Sequence, residues 1–172
     1  LHIPHPHAEA FGAAVEVVVA IVQVQLVGYT VDFQVTLADT VAVNYEAYPG
    51  SGDFGKREYN FYSEDIYVGY RYFESFAKDR VIYPFGFGLS YTDFAVENTE
   101  FSANEEKITV SADVKNIGKY SGKEVLQVYF EAPQGRLGKP ARALSAFAKT
   151  KLLSPGESQT LSLSATREQL AS

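Results

Sequence analysis

The stretch KITVSADVKN, residues 107–116, alternates strictly between apolar and polar side chains. Ile108, Val110, Ala112 and Val114 fall on one face of an extended chain. The other face carries only polar side chains, namely Lys107, Thr109, Ser111, Asp113 and Lys115. Because successive side chains of a strand point to opposite faces, this pattern predicts a strand with one face in a core and one face in solvent.

Four more runs of this kind surround the strand, at residues 93–103, 123–132, 141–153 and 158–165. Turn-forming stretches separate the runs: NEE, IGKYSG, PQGRLGKP and SPGE. Short strands at regular spacing with such turns between them are typical of an antiparallel β-sandwich. In the run 123–132, both the odd-numbered and the even-numbered positions carry large side chains, which predicts a central strand covered on both faces. The five strands are two fewer than a seven-stranded sandwich needs.

The composition is that of a globular protein with an acidic balance. Of 172 residues, 46% are apolar and 21% are charged, and 15 basic against 21 acidic residues give a formal net charge of −6. This balance argues against nucleic acid and anionic membranes as partners, because both attract basic surfaces. Cysteine is absent, which excludes disulfides, thiol catalysis and thiolate metal sites and leaves the compartment open.

The first residues, LHIPHPHAEAF, place three histidines among two prolines. Imidazole is a common metal ligand, but the prolines favour an extended chain and no carboxylate or cysteine lies at a matching spacing. We therefore expect a frayed or processed terminus, with no metal site and no cofactor. Since the sequence has no methionine and begins at Leu1, without the features of a signal peptide, we expect a piece of a longer polypeptide.

Residues 15–27 form an apolar, β-branched run that one glutamate and two glutamines interrupt. The run is too short to span a bilayer, which needs about 20 apolar residues. It predicts a buried strand of the kind found in parallel sheets. A second strand is expected at residues 31–43, and the turn-rich YPGSGDFG at 48–55 then ends a first domain.

Aromatic side chains dominate NFYSEDIYVGYRYFE, residues 60–74. If extended, this segment places bulky side chains on both faces, so we expect protein to cover both. Arg71 could stack on the neighbouring rings or pair with an acidic neighbour; the candidates are Glu64, Asp65 and Glu74. The following SFAKDR, residues 75–80, predicts a loop or a helical turn.

The segment YPFGFGLSYT, residues 83–92, combines large apolar side chains with a proline and two glycines and carries no charge. Three interpretations are open: a sugar-binding face, an aggregation hazard, or a strap that lies against another domain. The glycines would let the backbone approach a neighbour closely, and the aromatic side chains would bury their bulk there.

Four stretches resemble the C-terminal part of glycoside hydrolase family 3 β-glucosidases and follow the family's order from Glu64 to Leu170. They are EDIYVGYRYFE, YPFGFGLSYTDF, ADVKNIGKYSGKEVLQVYF and LSPGESQTLSLSATREQL. Upstream, LADTVAVNYEAYPGSGDFG is similar to the stretch that closes the family's α/β-sandwich domain. Two departures stand out: residues 13–34 lack the family's GQEGG-like turn, and the two strands that follow the TREQL equivalent in the family are missing.

The resemblance implies a mainly β fold, with an incomplete fibronectin type III-like (Ig-like) β-sandwich. Strands from the end of an α/β-sandwich and an extended aromatic linker would precede it. The expected boundaries are 1–55 for the remnant of the α/β-sandwich domain, 56–92 for the interdomain linker and 93–172 for the fibronectin type III-like domain lacking its last strands. In the family this linker packs between domains, which favours the strap interpretation. The interdomain strap would then comprise Tyr70, Arg71, Tyr72, Phe73, Pro84, Phe85, Gly86, Phe87, Gly88, Leu89 and Tyr91.

The resemblance also implies partners. They are the remainder of the glycosidase, namely its TIM barrel, the rest of the α/β-sandwich and the missing β-strands, in the same polypeptide or as another chain. In some members of the family the barrel follows the fibronectin-like domain. An oligosaccharide at the rim of the substrate cleft is a further expected partner.

The sequence shows no catalytic residues. A retaining glycosidase needs two carboxyl groups about 5 Å apart, and in the family they belong to the TIM barrel and to the α/β domain. Adjacent pairs such as Glu64–Asp65 and Glu105–Glu106 point to opposite faces of an extended strand, so neither pair can flank one bond. We interpret the basic GRLGKP, residues 135–140, as a solvated loop. The prediction is a non-catalytic scaffold segment of a retaining β-glucosidase. The alternatives are a carbohydrate-binding β-sandwich and a ligand-free Ig-like module.

Overall fold

The computed structural model describes residues 2–3, 16–20, 35–53, 55–56, 58–59, 61–132, 134, 136 and 138–171. In this part of the chain the strands are β1 (His2–Ile3), β2 (Glu16–Ala20), β3 (Val35–Thr36), β4 (Val41–Ala42), β5 (Val81–Tyr83), β6 (Gly88–Leu89), β7 (Phe94–Ala103), β8 (Lys107–Asn116), β9 (Val125–Glu131), β10 (Ala143–Lys149) and β11 (Ser158–Thr166). The helices are α1 (Tyr70–Phe76) and α2 (Arg167–Ala171), with 3-10 turns at Tyr45–Ala47 and Lys78–Arg80.

Two antiparallel sheets form the sandwich. One has the strand order β11-β8-β7 and the other β1-β2-β9-β10. Apolar side chains from both sheets share one buried core, which consists of Phe94, Ile108, Val110, Ala112, Val114, Leu126, Val128, Leu153, Leu161, Leu163 and Ala165. The β-sandwich expected from the alternating runs is therefore confirmed.

The facing predicted for β8 is also confirmed, since buried and less buried residues alternate along the whole strand. Strand β9 has five consecutive buried residues between half-buried ends, as predicted for a strand covered on both sides. One of its faces lies in the sandwich core, and α1 and the segment that follows it pack over part of the other face, as described below.

Residues 16–20 form β2, within the strand expected at 15–27, but the parallel pairing implied by the apolar run is wrong for them. Strand β2 pairs antiparallel with β9, with Val18 opposite Tyr129, and β1 pairs antiparallel with β2. Strand β2 pairs with the edge of β9 that a five-stranded sandwich would leave open. The backbone N–H and C=O groups on that edge of β9 therefore have hydrogen-bond partners. His2 lies in β1, whereas the other two histidines fall outside the described residues, as do residues 21–34.

The prediction of a single strand at residues 31–43 is wrong for residues 35–43, which the structure describes. Strand β3 pairs with β6, and β4 pairs with β5, so two separate ribbons form. Between them the Thr40 backbone N–H donates to Oδ1 of Asp39 at 2.7 Å. Such a side-chain bond competes with sheet hydrogen bonding and bends the chain.

Residues 70–76 are helical, so the extended conformation considered for residues 60–74 is wrong here. Helix α1 buries Phe73, and Ala77 just after its end is buried one turn further along the same side. Glu74 and Lys78 lie one turn apart with a 3.3 Å ion pair, an arrangement that supports helices. The helical turn expected at 75–80 is confirmed by the end of α1 and the following 3-10 turn. In the described part of the chain, no helix has the length and apolar character needed to cross a membrane.

Candidate functional site

The predicted strap lies on the outer face of β9. We use the word strap for residues 70–91. Its tip is a turn in which the Phe87 N–H donates to the Pro84 carbonyl at 3.0 Å, and Gly86 adopts a positive φ of 80°. A Cβ at Gly86 would lie 3.0 Å from both Nε2 and Oε1 of Gln127 on β9. The backbone therefore approaches the sheet at a distance that only glycine permits without adjustment.

Aromatic rings join the two arms of the strap to β9 and β10. The Tyr70 ring stacks on Phe85 at 4.6 Å and 30° and meets Tyr129 edge-on at 6.1 Å. The Tyr70 hydroxyl accepts a 2.7 Å hydrogen bond from the Leu144 N–H, so the ring is held at its polar end as well. Offset and edge-on ring pairs of this kind contribute about 0.5–1.5 kcal/mol beyond their buried area.

Tyr129 is the buried polar group beneath the strap. Its hydroxyl donates to Oε1 of Gln127 at 2.7 Å. Burial is the main cause that raises the pKa of Tyr129 above its ordinary value, and the neighbouring Tyr70 raises it further. The phenol is therefore held in its neutral, donating form.

Polar contacts tie α1 to the start of β10. The Ser75 hydroxyl accepts from the Ala141 N–H at 2.9 Å and donates to the Arg71 carbonyl at 2.6 Å. Nε of Arg142 lies 3.3 Å from Oε2 of Glu74, which makes an ion pair, although Nε donates no hydrogen bond. Helix and sandwich are therefore connected by packing and by charge.

The other side of α1 packs on residues 40–48. Ala42, Ala47, Phe73 and Ala77 form a second, smaller core. The Tyr48 ring meets Phe73 edge-on at 5.5 Å, and its hydroxyl donates to the Thr40 carbonyl at 3.0 Å. The strap is thus a layer between the sandwich and the segment that precedes it.

The strap and this segment also carry large apolar side chains that the described chain leaves exposed. Ile82 is 51% exposed and Tyr83 is 43% exposed, although both lie in β5. We call the set the outer apolar surface; it comprises Val41, Val43, Tyr45, Ile82, Tyr83 and Leu89. Scattered exposed apolar residues are ordinary, but six of them on and beside the short strands β4, β5 and β6 are a candidate interaction surface.

The predicted strap residues divide between these two sides. Tyr70, Phe73, Phe85 and Gly86 make the contacts with the sandwich and the small core described above. Leu89 belongs to the outer apolar surface. The others are half-buried, except that Gly88 is buried in the pairing of β6 with β3; they are Arg71, Tyr72, Pro84, Phe87 and Tyr91.

The prediction that Arg71 could form an ion pair with Glu74 is wrong. Glu74 instead forms ion pairs with Lys78 and Arg142. Within the described residues, no ion pair of Arg71 is found, and Arg71 lines a cavity together with Asp65. The same part of the chain holds no group of three or more metal-ligating side chains.

Sequence reasoning missed Val43, Tyr45 and Ile82. Val43 and Tyr45 lie in the stretch LADTVAVNYEAYPGSGDFG, which the resemblance assigned to the end of the α/β-sandwich domain, and Ile82 lies outside the quoted motifs. A usable signal was present, because Val41 and Val43 alternate with smaller or polar residues and Ile82 lies in the short apolar run VIY before Pro84.

Comparisons with known proteins agree with this architecture. The family model described as "Fibronectin type III-like domain" matches residues 124–172. A β-glucosidase from Ruminococcus albus is 51% identical over 136 residues, which are 79% of this chain and 14% of that protein. The solved β-glucosidase from Paenibacillus barengoltzii is 56% identical with a TM-score of 0.71, over 76% of this chain and 14% of that one. The Bifidobacterium adolescentis GH3 β-glucosidase is 31% identical with a TM-score of 0.71, over 78% of this chain and 20% of that one.

The matched motifs, the sandwich and these relatives together identify the chain as a member of glycoside hydrolase family 3. The chain spans 14–20% of the length of the relatives compared here. The domain boundaries expected at residues 55 and 92 stay a prediction.

Proposed function

We propose that this chain is a non-catalytic scaffold segment of a family 3 β-glucosidase. The strap would hold the other domains of the enzyme against the fibronectin type III-like sandwich. The enzyme as a whole would hydrolyse terminal β-D-glucosyl or related residues, because the relatives carry the name β-glucosidase. The catalytic carboxyl groups would come from the remaining domains.

The observation that carries the proposal is the two-sided character of the strap. Its inner side is fixed on β9 through Gly86, Tyr70 and Phe85. Its outer side continues into apolar side chains that are 36–52% exposed, such as Leu89 and Tyr45. A surface that is apolar and rigidly backed gains free energy when a partner covers it, at roughly 25 cal/mol per Å².

The proposal is tested by restoring activity in two pieces. The partner is the Ruminococcus albus β-glucosidase from which the matching 136 residues have been deleted. Co-expression with this chain is expected to restore hydrolysis of an aryl β-glucoside, and the two polypeptides are expected to purify together. Ile82→Asp and Leu89→Asp in this chain are expected to abolish both results, because each buries a charge in the apolar contact.

The matched control is Ile117→Asp. Ile117 is 58% exposed and lies in the loop after β8, outside the outer apolar surface. This variant is expected to restore activity as well as the unchanged chain does. If all three variants restore activity equally, the outer apolar surface is not the contact. If the unchanged chain neither purifies with the partner nor restores activity, the scaffold proposal is wrong.

A further inference from the structure

A cavity of about 360 Å³ lies between the start of α1 and the sandwich, on a part of the surface distinct from the outer apolar surface. It is lined by Asp65, Ile66, Arg71, Phe130, Ala132, Gly138, Lys139, Pro140 and Ala143. Its volume corresponds to roughly twelve water molecules at about 30 Å³ each, near the small end of the range of ~300–1,000 Å³ for small-molecule sites. The cavity is therefore large enough for one or two six-membered rings.

Asp65 stands in a turn where its conformation is unusual. The Tyr67 N–H donates to the Glu64 carbonyl at 2.8 Å, and Asp65 between them has a positive φ of 47°. Glycine or asparagine fits such a position most readily, yet the sequence has a carboxylate. Among the described residues, the carboxylate of Asp65 has no hydrogen-bond or ion-pair partner, so it is available to a molecule in the cavity.

Arg71 supplies a positively charged hydrogen-bond donor to the same cavity. It lies in the first turn of α1, which follows the turn of Asp65 by a few residues. Within the described part of the chain its guanidinium has no ion pair or hydrogen bond, with Asp65 or with any other group. A guanidinium offers five N–H donors and no acceptor, whereas a carboxylate is an acceptor only.

The opposite wall is held in place by hydrogen bonds and by close packing. The side-chain amide of Gln134 accepts from the Lys139 N–H at 3.2 Å and donates to its carbonyl at 3.0 Å. Gly138 has a φ of 65°, and a Cβ there would lie 3.1 Å from the Tyr67 hydroxyl. The wall at residues 138–140 is thus fixed against the turn that carries Asp65, and the site exists before any ligand binds.

The floor is apolar. Ile66 is 41% exposed, and Ala132, Pro140, Ala143 and the buried Phe130 complete the apolar lining. A ligand must therefore present C–H groups to the floor while it donates to Asp65 and accepts from Arg71. Asp65 would repel an anion, and Arg71 and Lys139, which also lines the cavity, would repel a cation. A hydroxyl both donates and accepts.

From this arrangement we infer that the cavity is a binding site for a neutral pyranose unit of a saccharide. Hydroxyl groups donate to the Asp65 carboxylate and accept from the Arg71 guanidinium, and the C–H face of the ring contacts Ile66, Pro140 and the alanine residues of the lining. The inference goes beyond the scaffold role and does not rest on it. The cavity is built from residues of this chain alone, whereas the scaffold role concerns the outer apolar surface.

The test is a titration of the full ¹⁵N-labelled chain with cellobiose, followed by NMR. At about 10 mM, a site with a Kd of about 1 mM is nine-tenths filled, and it would shift the amide signals of Asp65, Arg71 and Lys139. Arg71→Met keeps the aliphatic stem and is expected to weaken binding at least ten-fold. Asp65→Asn tolerates the turn conformation and is expected to weaken binding at least five-fold.

Two control variants remove matching charges elsewhere, Arg167→Met on α2 and Asp79→Asn in the 3-10 turn after α1, and both are expected to bind cellobiose as the unchanged chain does. The fold of each variant is checked by its NMR spectrum, and Arg71→Gln replaces Arg71→Met if the latter does not fold. The inference is overturned if cellobiose causes no shifts, or if binding persists unchanged in the cavity variants. It is also overturned if glucuronate, an anionic probe of similar size, binds more than ten-fold tighter than glucose.

Discussion

The Thr92 hydroxyl donates a 2.7 Å hydrogen bond to Oδ1 of Asn116, and both side chains are buried. Asn116 uses its whole amide: Oδ1 also accepts from the Gly118 N–H, and Nδ2 donates to the carbonyls of Tyr120 and Leu153. One side chain thereby connects the start of β7, the end of β8 and the turn before β11. The chain passes from the strap into β7 at this point, so the junction fixes where the strap leaves the sandwich.

We expect Asn116→Ala to lower the free energy of unfolding by about 2–4 kcal/mol, because buried donors and acceptors left unpaired cost about 1–3 kcal/mol each. Urea unfolding followed by circular dichroism measures the change. Thr92→Val removes one bond of the set and is expected to lose about 1 kcal/mol. The control is Thr109→Val, whose hydroxyl bonds Ser164 in an exposed pair and which should change stability by less than about 0.5 kcal/mol. If all three variants lowered the free energy of unfolding equally, the buried Thr92–Asn116 network would not be what stabilises the junction.

Gly118 provides a steric test of the same junction. A Cβ at this position would lie 2.6 Å from the Asp93 backbone nitrogen and would overlap the Thr92 hydroxyl. Because the backbone cannot yield, Gly118→Ala is expected to destabilise the chain by about 2–3 kcal/mol. Gly50→Ala, which meets nothing within 4 Å, is the control in urea unfolding and is expected to be neutral or slightly stabilising. A stable Gly118→Ala variant would mean that the loop after β8 does not lie on Thr92.

The approach of the strap to β9 is tested at Gly86. Gly86→Ala incurs both a positive φ, at about 1–2 kcal/mol, and contact with Gln127. Gly156 has nearly the same φ, 81° against 80°, but no atom within 4 Å of a Cβ. Gly156→Ala therefore measures the cost of the positive φ alone. Gly86→Ala is expected to lower the free energy of unfolding by more than Gly156→Ala does.

A double variant separates the two causes at Gly86. Gln127→Ala is expected to relieve the steric part of Gly86→Ala, which gives a coupling energy of about 0.5–1.5 kcal/mol in a double-mutant cycle. Additive effects would show that the tip of the strap does not rest on Gln127.

The raised pKa of Tyr129 predicts a loss of stability in alkali. The unfolded chain ionises its tyrosines near pH 10, whereas burial keeps Tyr129 neutral to higher pH in the folded chain. The stabilisation is therefore complete below about pH 10 and declines as the pH rises above it. Thermal unfolding of the chain and of Tyr129→Phe between about pH 8 and 11 measures this. The unchanged chain should lose stability more steeply, and parallel curves would contradict the assignment.

Alternation and the turns between the runs were sufficient to predict most of the strands β7 to β11, and β9 was predicted from bulky side chains on both of its faces. The pattern failed at α1. Aromatic residues occupy both odd-numbered and even-numbered positions between residues 60 and 74, a pattern typical of a strand covered on both sides. The pattern that indicates a helix extends over only a few residues. It consists of the spacing of Phe73 and Ala77 and the ion pair of Glu74 with Lys78.

The pairing of β2 with β9 could not be read from the sequence, because an apolar run does not specify its partner strand or its direction. The strap residues were predicted from the resemblance, but their contacts with Gln127 and Leu144 are long-range and depend on the folded sandwich. Asp65 and Arg71 were singled out as a possible ion pair. The structure places both on one cavity without pairing them, which the helical geometry of α1 determines.

The central claim, that the outer apolar surface is a contact with the remaining domains of a β-glucosidase, is tested most directly by hydrogen–deuterium exchange. The exchange of residues 81–91 is compared in the chain alone and in the chain purified with the deleted Ruminococcus albus partner. The account predicts that amides of β5 and β6 exchange at least ten-fold more slowly in the complex, while those of the outer strand β7 are unchanged. Unchanged exchange at β5 and β6, or protection confined to β7, would contradict it.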